Sequence, residues 1–288
     1  MIYLSLTGGL GNQLFEYAYA RNLSIKTNQE VILDLYTYFK DSMRNFELNN
    51  FDIKARIDEA LNAKKYNQEY NKISRYYRKF FKEKADEHYL KNNIIIYLGF
   101  EYKDFPINKE KDIYLYGYFQ SEKFFKESKD IIKKELYVTP SEKYNSLLNE
   151  IKSNPNSVCV HYRKGDYKLR KNFQYQVCDT DYYINSMEYL NKKLRNPVFY
   201  IFSDEINEVK EEFSIYNKEN IKYVDNVSTM IDEFAIMLHC NNFIISNSTF
   251  SWWAQYLCKN DNKIVIAPKR WNKFVDLKDI YQDNWICM

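Results

Sequence analysis

The first 35 residues do most to limit the architectures open to this chain. An apolar run, Ile2 to Leu6, is followed by three glycines within four residues: Gly8, Gly9 and Gly11. A helical segment from Asn12 to about Lys26 comes next, with Leu14, Ala18 and Ile25 on one face and Tyr17 beside them. Val31 to Leu35 is the next apolar run. Strand, glycine loop, helix and strand make a βαβ unit, the start of a doubly wound parallel sheet. The glycines let the backbone take positive φ and approach a partner closely. Asn12 and Gln13 put two carboxamides on the first helical turn.

From about Tyr36 to Lys111 the pattern blurs into a charged, Tyr-rich stretch that reads as mostly helical, with a strand at Ile94 to Leu98. Ile113 to Tyr116 reads as a strand, leading into a helix that runs to about Leu136. Pro140 interrupts, and a helix is expected from Ser141 to Lys152. The turn cluster Ser153 to Ser157 is the expected linker. Beyond it the alternation is cleaner. Strands are expected at Ser157–Tyr162, Val198–Ser203, Ile221–Val224, Phe243–Ser246 and Lys263–Ala267. Helices fall between them at about Asp181–Leu194, Ile206–Phe213, Met230–Cys240 and Phe250–Lys259. Thr229 and Asp232 resemble a capping box on the third of these. A chain of 288 residues fits two domains of roughly 140 residues each. The expected division is 1–153 and 154–288.

Charge and cysteine content narrow the function classes. Lys plus Arg number 42 against 39 Asp plus Glu, so no basic stripe marks a nucleic-acid binder. The densest basic segment, Lys72 to Lys84, reads as a solvated helix face, or alternatively as a surface for anionic lipid or an anionic acceptor. Five scattered cysteines without CxxC spacing read as reduced thiols in a cytoplasmic protein. The N-terminus lacks the basic start and long apolar core of a secretion signal, and no apolar run is long enough to span a bilayer.

Two stretches carry the chemistry. In "VCVHYRKGDY", Val158 to Tyr167, a strand ends in His161, Arg163, Lys164, Gly165 and Asp166. Ligands of open α/β sheets bind beyond the carboxyl ends of strands. A guanidinium fork and an ammonium point charge suit a phosphate there. In "ISNSTFSWWAQYL", Ile245 to Leu257, Ser246, Asn247, Ser248, Thr249, Phe250 and Ser251 surround a helix N-terminus, where backbone N–H groups and the helix dipole favour an anion. Simple N-capping needs fewer hydroxyls than this. Trp252 and Trp253 read as core. A weaker signal is Asp204 in "FYIFSDE", placed either to meet a guanine edge or ribose hydroxyl or to cap the next helix. Asp179 and Asp181 mimic a metal–nucleotide triplet but precede a helix, so capping explains them. The three histidines lack ligand spacing, so no metal site is expected.

"GGLGNQLF", "HYRKGDY", "FSDE" and "SNSTFSWW", in this order, resemble the bacterial α-1,2-fucosyltransferases of glycosyltransferase family 11. Lys164 stands where the family pattern has a second Arg. The resemblance implies a GT-B type α/β fold, two Rossmann-like domains facing across a cleft, the first on the acceptor side and the second binding the GDP-sugar. It implies GDP-β-L-fucose as co-substrate, no metal or other cofactor, inversion at the anomeric carbon, and transfer to O2 of a terminal β-galactose on a glycan acceptor. By analogy, Gly9, Gly11, Asn12 and Gln13 approach the donor, while Arg163, Lys164 and the helix near Ser248 stabilise the leaving diphosphate. The base is Asp166 or His161, with Asp166 alternatively orienting Arg163. A different donor sugar or linkage, or a non-catalytic binding protein, is the alternative. A cytoplasmic location is expected, with peripheral contact at the inner face of the membrane left open, and no nucleic-acid partner.

Overall fold

The computed structural model describes residues 1–35, 44–58, 90–99, 101–216 and 218–288. The basic segment Lys72 to Lys84 and much of the expected helical insert lie outside these residues. The chain divides into two units, Met1–Leu136 and Tyr137–Met288.

The first unit is built on a parallel five-stranded sheet of β1 (Ile2–Ser5), β2 (Val31–Asp34), β3 (Ala55–Ile57), β4 (Ile94–Tyr97) and β5 (Ile113–Gly117), ordered β3-β2-β1-β5-β4. Ile2 pairs with Val31 on one side and Ile113 on the other. Strand order therefore reverses between β1 and β5. Central parallel strands are covered on both faces and so are almost continuously apolar; Ile2, Leu4, Val31, Leu33, Ile113 and Leu115 are all fully buried. Helix α1 (Leu10–Thr27) packs Leu14, Phe15, Tyr17 and Ala18 inward and ends at Asn28 in the left-handed region. The expected helix up to Leu136 shrinks to α2 (Lys129–Glu135) after two short 3₁₀ turns. Glu135 at its end accepts from Tyr17 Oη at 2.5 Å and from Arg21 Nη2 at 2.9 Å, tying it to α1. Edge strand β3 was not expected: it has three residues, and Arg56 and Ile57 are exposed, so no apolar run announces it.

The second unit carries a parallel six-stranded sheet of β6 (Ser157–Tyr162), β7 (Val198–Ser203), β8 (Ile221–Tyr223), β9 (Asn242–Ile244), β10 (Val265–Ala267) and β11 (Ile286–Cys287). Its order is β11-β10-β9-β6-β7-β8, the order of dinucleotide-binding folds, with the reversal between β6 and β9. Helices α3 (Asn145–Ser153), α4 (Thr180–Lys193), α5 (Ile206–Glu212), α6 (Met230–Met237) and α7 (Thr249–Leu257) complete it. The division thus falls after Leu136 and not at residue 153. Helix α3 belongs to the second unit because its approach is fastened there: Ser141 N and Oγ both donate to Asp232 at 2.7 Å, and Tyr144 Oη meets Ser228 Oγ at 3.0 Å. The turn at Ser153 to Ser157 only connects α3 to β6.

Val158, Val160 and Tyr162 of β6 face a core with Tyr183, Met187, Leu190, Phe199 and Ile201. On α7, Trp252 and Trp253 are fully buried, and Trp252 Nε1 donates to Ile280 O at 2.7 Å, as befits core residues. No helix among the described residues is long and apolar enough to cross a membrane.

Candidate active site

In the second unit, polar side chains gather where the strand order reverses, beyond the carboxyl ends of β6 and β9. His161, the penultimate residue of β6, meets Ser246 Oγ through Nδ1 at 2.9 Å and so bridges the reversal. It is almost fully buried, with Phe250 at 5.6 Å. Burial, then the Arg163 charge, pushes its pKa down to about 3, so the ring is neutral at physiological pH.

Alternation along β6 continues past its end. Arg163 lies on the His161 side, whereas Lys164 lies on the Tyr162 side with Nζ 5.2 Å from that ring. Nε and Nη2 of Arg163 donate to Asp166 Oδ1 at 3.1 and 2.7 Å. Its Nη1 pairs with Asp204 Oδ2 at 2.9 Å. Burial opposes the charge, but the Asp204 and Asp166 carboxylates outweigh it and raise the guanidinium further. Asp166 therefore orients Arg163, one of the two roles open to it from sequence. Asp204 does the same, rather than capping a helix: its other oxygen accepts from Lys164 N at 2.9 Å. Gly165 is what permits this, since a Cβ there would come within 2.3 Å of Asp204 Oδ2. Lys164 Nζ pairs with Glu212 and, at 3.7 Å, Glu208 of α5, which turns it away from the Arg163 cluster expected to hold the donor.

The hydroxyls around α7 are largely spent inside the fold. Ser246 holds His161, Ser248 caps α7 by accepting from Phe250 N at 3.3 Å, and Ser251 Oγ donates to Ser248 O at 3.2 Å. Asn247 Nδ2, expected at the donor, donates to both Tyr175 O and Trp271 O at 2.9 Å, a buried clamp between two loops. Thr249 and Phe250 are the partly exposed members, at the N-terminal turn of a nine-residue helix. Asp179 caps α4 by accepting from Tyr182 N at 2.9 Å. Among the described residues, no group of three or more His, Cys, Asp or Glu side chains could hold a metal ion.

One carboxyl was missed by sequence reasoning. Glu233 on α6 interacts electrostatically with Arg163 and Asp204, and its carboxylate has no hydrogen-bond partner among the described residues. Burial first, then the Asp204 charge, pushes its pKa up to about 7, against the pull of Arg163. In sequence it looks like an ordinary first-turn acid beside the Thr229 cap. Only the approach of α6 to the end of β6 gives it significance.

The first unit has its own reversal, between β1 and β5. Gly8 takes φ 77, and a Cβ there would come within 2.5 Å of Asn12 Nδ2, so this position requires glycine. Gly9 is the N-cap of α1 in extended conformation, and Gly11 is buried in its first turn. Asn12 Oδ1 accepts from Gln120 Nε2 at 3.0 Å across the β1 and β5 ends. Gln13 was expected at the donor. It is fully buried and braces the loop instead, donating to Asn45 O at 2.8 Å and Gly8 O at 3.2 Å and accepting from Glu47 N at 2.9 Å. Beneath the loop, Glu16 is fully buried; its Oε2 accepts from Thr7 N at 2.9 Å and its Oε1 has no partner among the described residues. Burial raises its pKa well above the usual carboxylate range.

Residues 1–288 match glycosyl transferase family 11 from end to end. The chain belongs to glycosyl transferase family 11. It is 29% identical over 305 residues to the O-antigen biosynthesis glycosyltransferase WbnK of Escherichia coli, covering 99% of each chain. It is 28% identical over 295 residues to an alpha-1,2-colitosyltransferase of Escherichia coli, covering 99% of this chain and 98% of that one. A mutant of Arabidopsis thaliana FUT1 in complex with GDP shares the fold, with TM-score 0.51 and 10% identity over 94% of this chain and 71% of that one. In this family 11 glycosyltransferase, Arg163, held by two carboxylates, stands at the strand reversal of a nucleotide-binding type of sheet.

Proposed function

We propose that this glycosyltransferase moves L-fucose from GDP-β-L-fucose to O2 of a terminal β-galactose, inverting the anomeric carbon and needing no metal. The observation that carries the reading is Arg163, held between Asp166 and Asp204 at the carboxyl end of β6. Breaking the C1–O bond leaves negative charge on the β-phosphate, and a preoriented guanidinium beside a helix N-terminus offsets that charge without reorganising. In these roles Arg163 and the first turn of α7 at Thr249 and Phe250 hold the diphosphate. Asp204 is occupied by Arg163 and Lys164 N, so the carboxyl open to a guanine N–H edge is Glu233. With its pKa near 3, His161 is a weak proton acceptor; Asp166, besides orienting Arg163 through Oδ1, is the motif carboxylate assigned the acceptor proton. The loop at Gly9 and Gly11 and the carboxamide of Asn12 are neutral groups suited to sugar hydroxyls.

The α-1,2 linkage is supported by the alpha-1,2-colitosyltransferase to which the chain is similar along its length. The same similarity favours a second reading in which the donor sugar is colitose, which lacks the 3-hydroxyl of fucose. GDP-fucose and GDP-colitose, each offered with a panel of galactosides, separate the two by mass spectrometry and linkage NMR. Expected is an α-1,2-fucosylated product, none from a 2-deoxygalactoside, and full activity in excess EDTA. Preferred transfer of colitose, another linkage, or loss of activity on chelation with recovery on Mn²⁺ or Mg²⁺ each overturns the corresponding part.

A further inference from the structure

Two loops of the second unit, following β6 and β10, present apolar side chains to solvent. Leu169 is 49% exposed, Phe173 50%, Phe274 74% and Val275 39%. They do not wave freely, because their backbones are fastened to buried amides. Asn247 Nδ2 holds Tyr175 O and Trp271 O, both at 2.9 Å, so one carboxamide fixes both loops. Lys273 N donates to Gln174 O at 2.8 Å, and Asn272 Oδ1 accepts from Phe274 N at 2.8 Å and Val275 N at 3.2 Å. The rings of Phe173 and Phe274 lie 6.4 Å apart, with Lys273 Nζ 3.6 Å from the centre of the Phe173 ring. The ordered frame thus holds exposed apolar side chains outward.

The ground around them is cationic. "KLRKNFQY", Lys168 to Tyr175, and "KRWNKFVD", Lys269 to Asp276, hold Lys168, Arg170, Lys171, Lys269, Arg270 and Lys273 against the single acid Asp276. Lys168 is engaged by Glu208, while Arg170, Lys171, Lys269 and Arg270 are exposed. The centre of a protein–protein interface is depleted of charge, whereas here cations are interleaved with separate apolar tips. That pattern matches a layer of anionic headgroups over acyl chains, where rings sit at the boundary and Lys and Arg meet phosphate. We propose that this patch docks the protein on an anionic phospholipid surface.

Vesicle co-sedimentation of the full chain tests this without any sugar substrate, so its outcome is independent of the proposed transfer activity. The wild type should pellet with phosphatidylcholine vesicles containing phosphatidylglycerol, but not with phosphatidylcholine alone, and should be released by high salt. Phe173→Ser/Phe274→Ser and Arg170→Glu/Lys171→Glu should each weaken vesicle binding by about 10-fold or more. Their melting temperatures and GDP affinity should remain those of the wild type, which guards against loss of fold. Absence of wild-type binding to the anionic vesicles overturns the proposal, and so does undiminished binding by both variants. So does a raised KM for a soluble galactoside with vesicle binding intact, which would make the patch a sugar platform.

Discussion

The two units answer the same topological situation with different chemistry. Each parallel sheet reverses its strand order beside its first strand, and each bridges that reversal with a side-chain hydrogen bond: Asn12 to Gln120 in the first unit, His161 to Ser246 in the second. Around the first bridge lie carboxamides, bare backbone and a buried Glu16 whose burial favours the uncharged acid, with the exposed Arg44 guanidinium reaching the Gly9 side of the loop, its Nη1 3.7 Å from where a Cβ on Gly9 would stand. Around the second are Arg163 and its two carboxylates, partly desolvated and mutually oriented. The fold supplies the position and the loop residues decide whether it handles charge. Among the described residues, the second presents a guanidinium held between two carboxylates, whereas the cation at the first, Arg44, is exposed.

The largest effect should come from disturbing that charge without removing it. Arg163→Lys keeps one positive charge but loses the planar fork, and we expect kcat to fall by about 10²-fold or more, as on removing one transition-state donor. An unchanged kcat would reduce the second site to the standing of the first. Glu233→Gln comes next. Losing a charge-assisted hydrogen bond should raise the KM for the GDP-sugar by about 10-fold or more while kcat changes less.

The same Glu233 variant has a pH signature. A carboxyl whose folded pKa is raised to about 7 holds its proton more tightly folded than unfolded between about pH 4.5 and 7. Its stabilising contribution is present below that window and lost as pH rises through 7. Thermal melts of the ligand-free protein should therefore show Glu233→Gln gaining stability over wild type above pH 7 and not below pH 4.5. Equal melting differences at both ends would contradict the assignment.

A smaller effect is expected at Lys164, whose side chain is drawn to Glu212 and Glu208. Lys164→Ala should lower kcat clearly less than Arg163→Lys, with Lys164→Arg near neutral; a dead Lys164→Ala enzyme would reverse the cationic roles. Smallest of all is Glu16→Gln in the first unit. The neutral isostere keeps this buried position uncharged and preserves the Thr7 contact, so activity should stay within about twofold of wild type. Because burial raises the Glu16 pKa, its contribution is lost as pH rises through the folded value, and the Gln variant should melt no lower than wild type at pH 8.

Much of this architecture was readable because buried parallel strands advertise themselves. "SVCVHY" and "VFYIFS" are apolar runs bounded by turns, and they became β6 and β7. Strand parity separated Arg163 from Lys164, and the residue before α4 predicted the Asp179 cap. What escaped depends on contacts distant in sequence. Gln13 looks like a ligand because it sits in a glycine loop, yet Asn45 and Glu47 claim both ends of its carboxamide. Asn247 sits in a run of hydroxyls and amides at a helix start, yet it clamps Tyr175 and Trp271. Helix α3 precedes the more obvious turn, but its entry is fastened to Asp232 and Ser228, 84 residues or more along the chain. Short edge strands β3 and β11 have too few apolar residues to show a period.

The contrast between the two reversals is tested most directly by titrating GDP calorimetrically into the full chain and its variants. Arg163→Lys should weaken GDP binding by about 10-fold or more, the range of a lost charge-assisted contact, while Asn12→Ala should leave it within about twofold. If Asn12→Ala abolishes GDP binding and Arg163→Lys retains it, the diphosphate is not held by the charged reversal of the second unit, and the account is wrong at its centre.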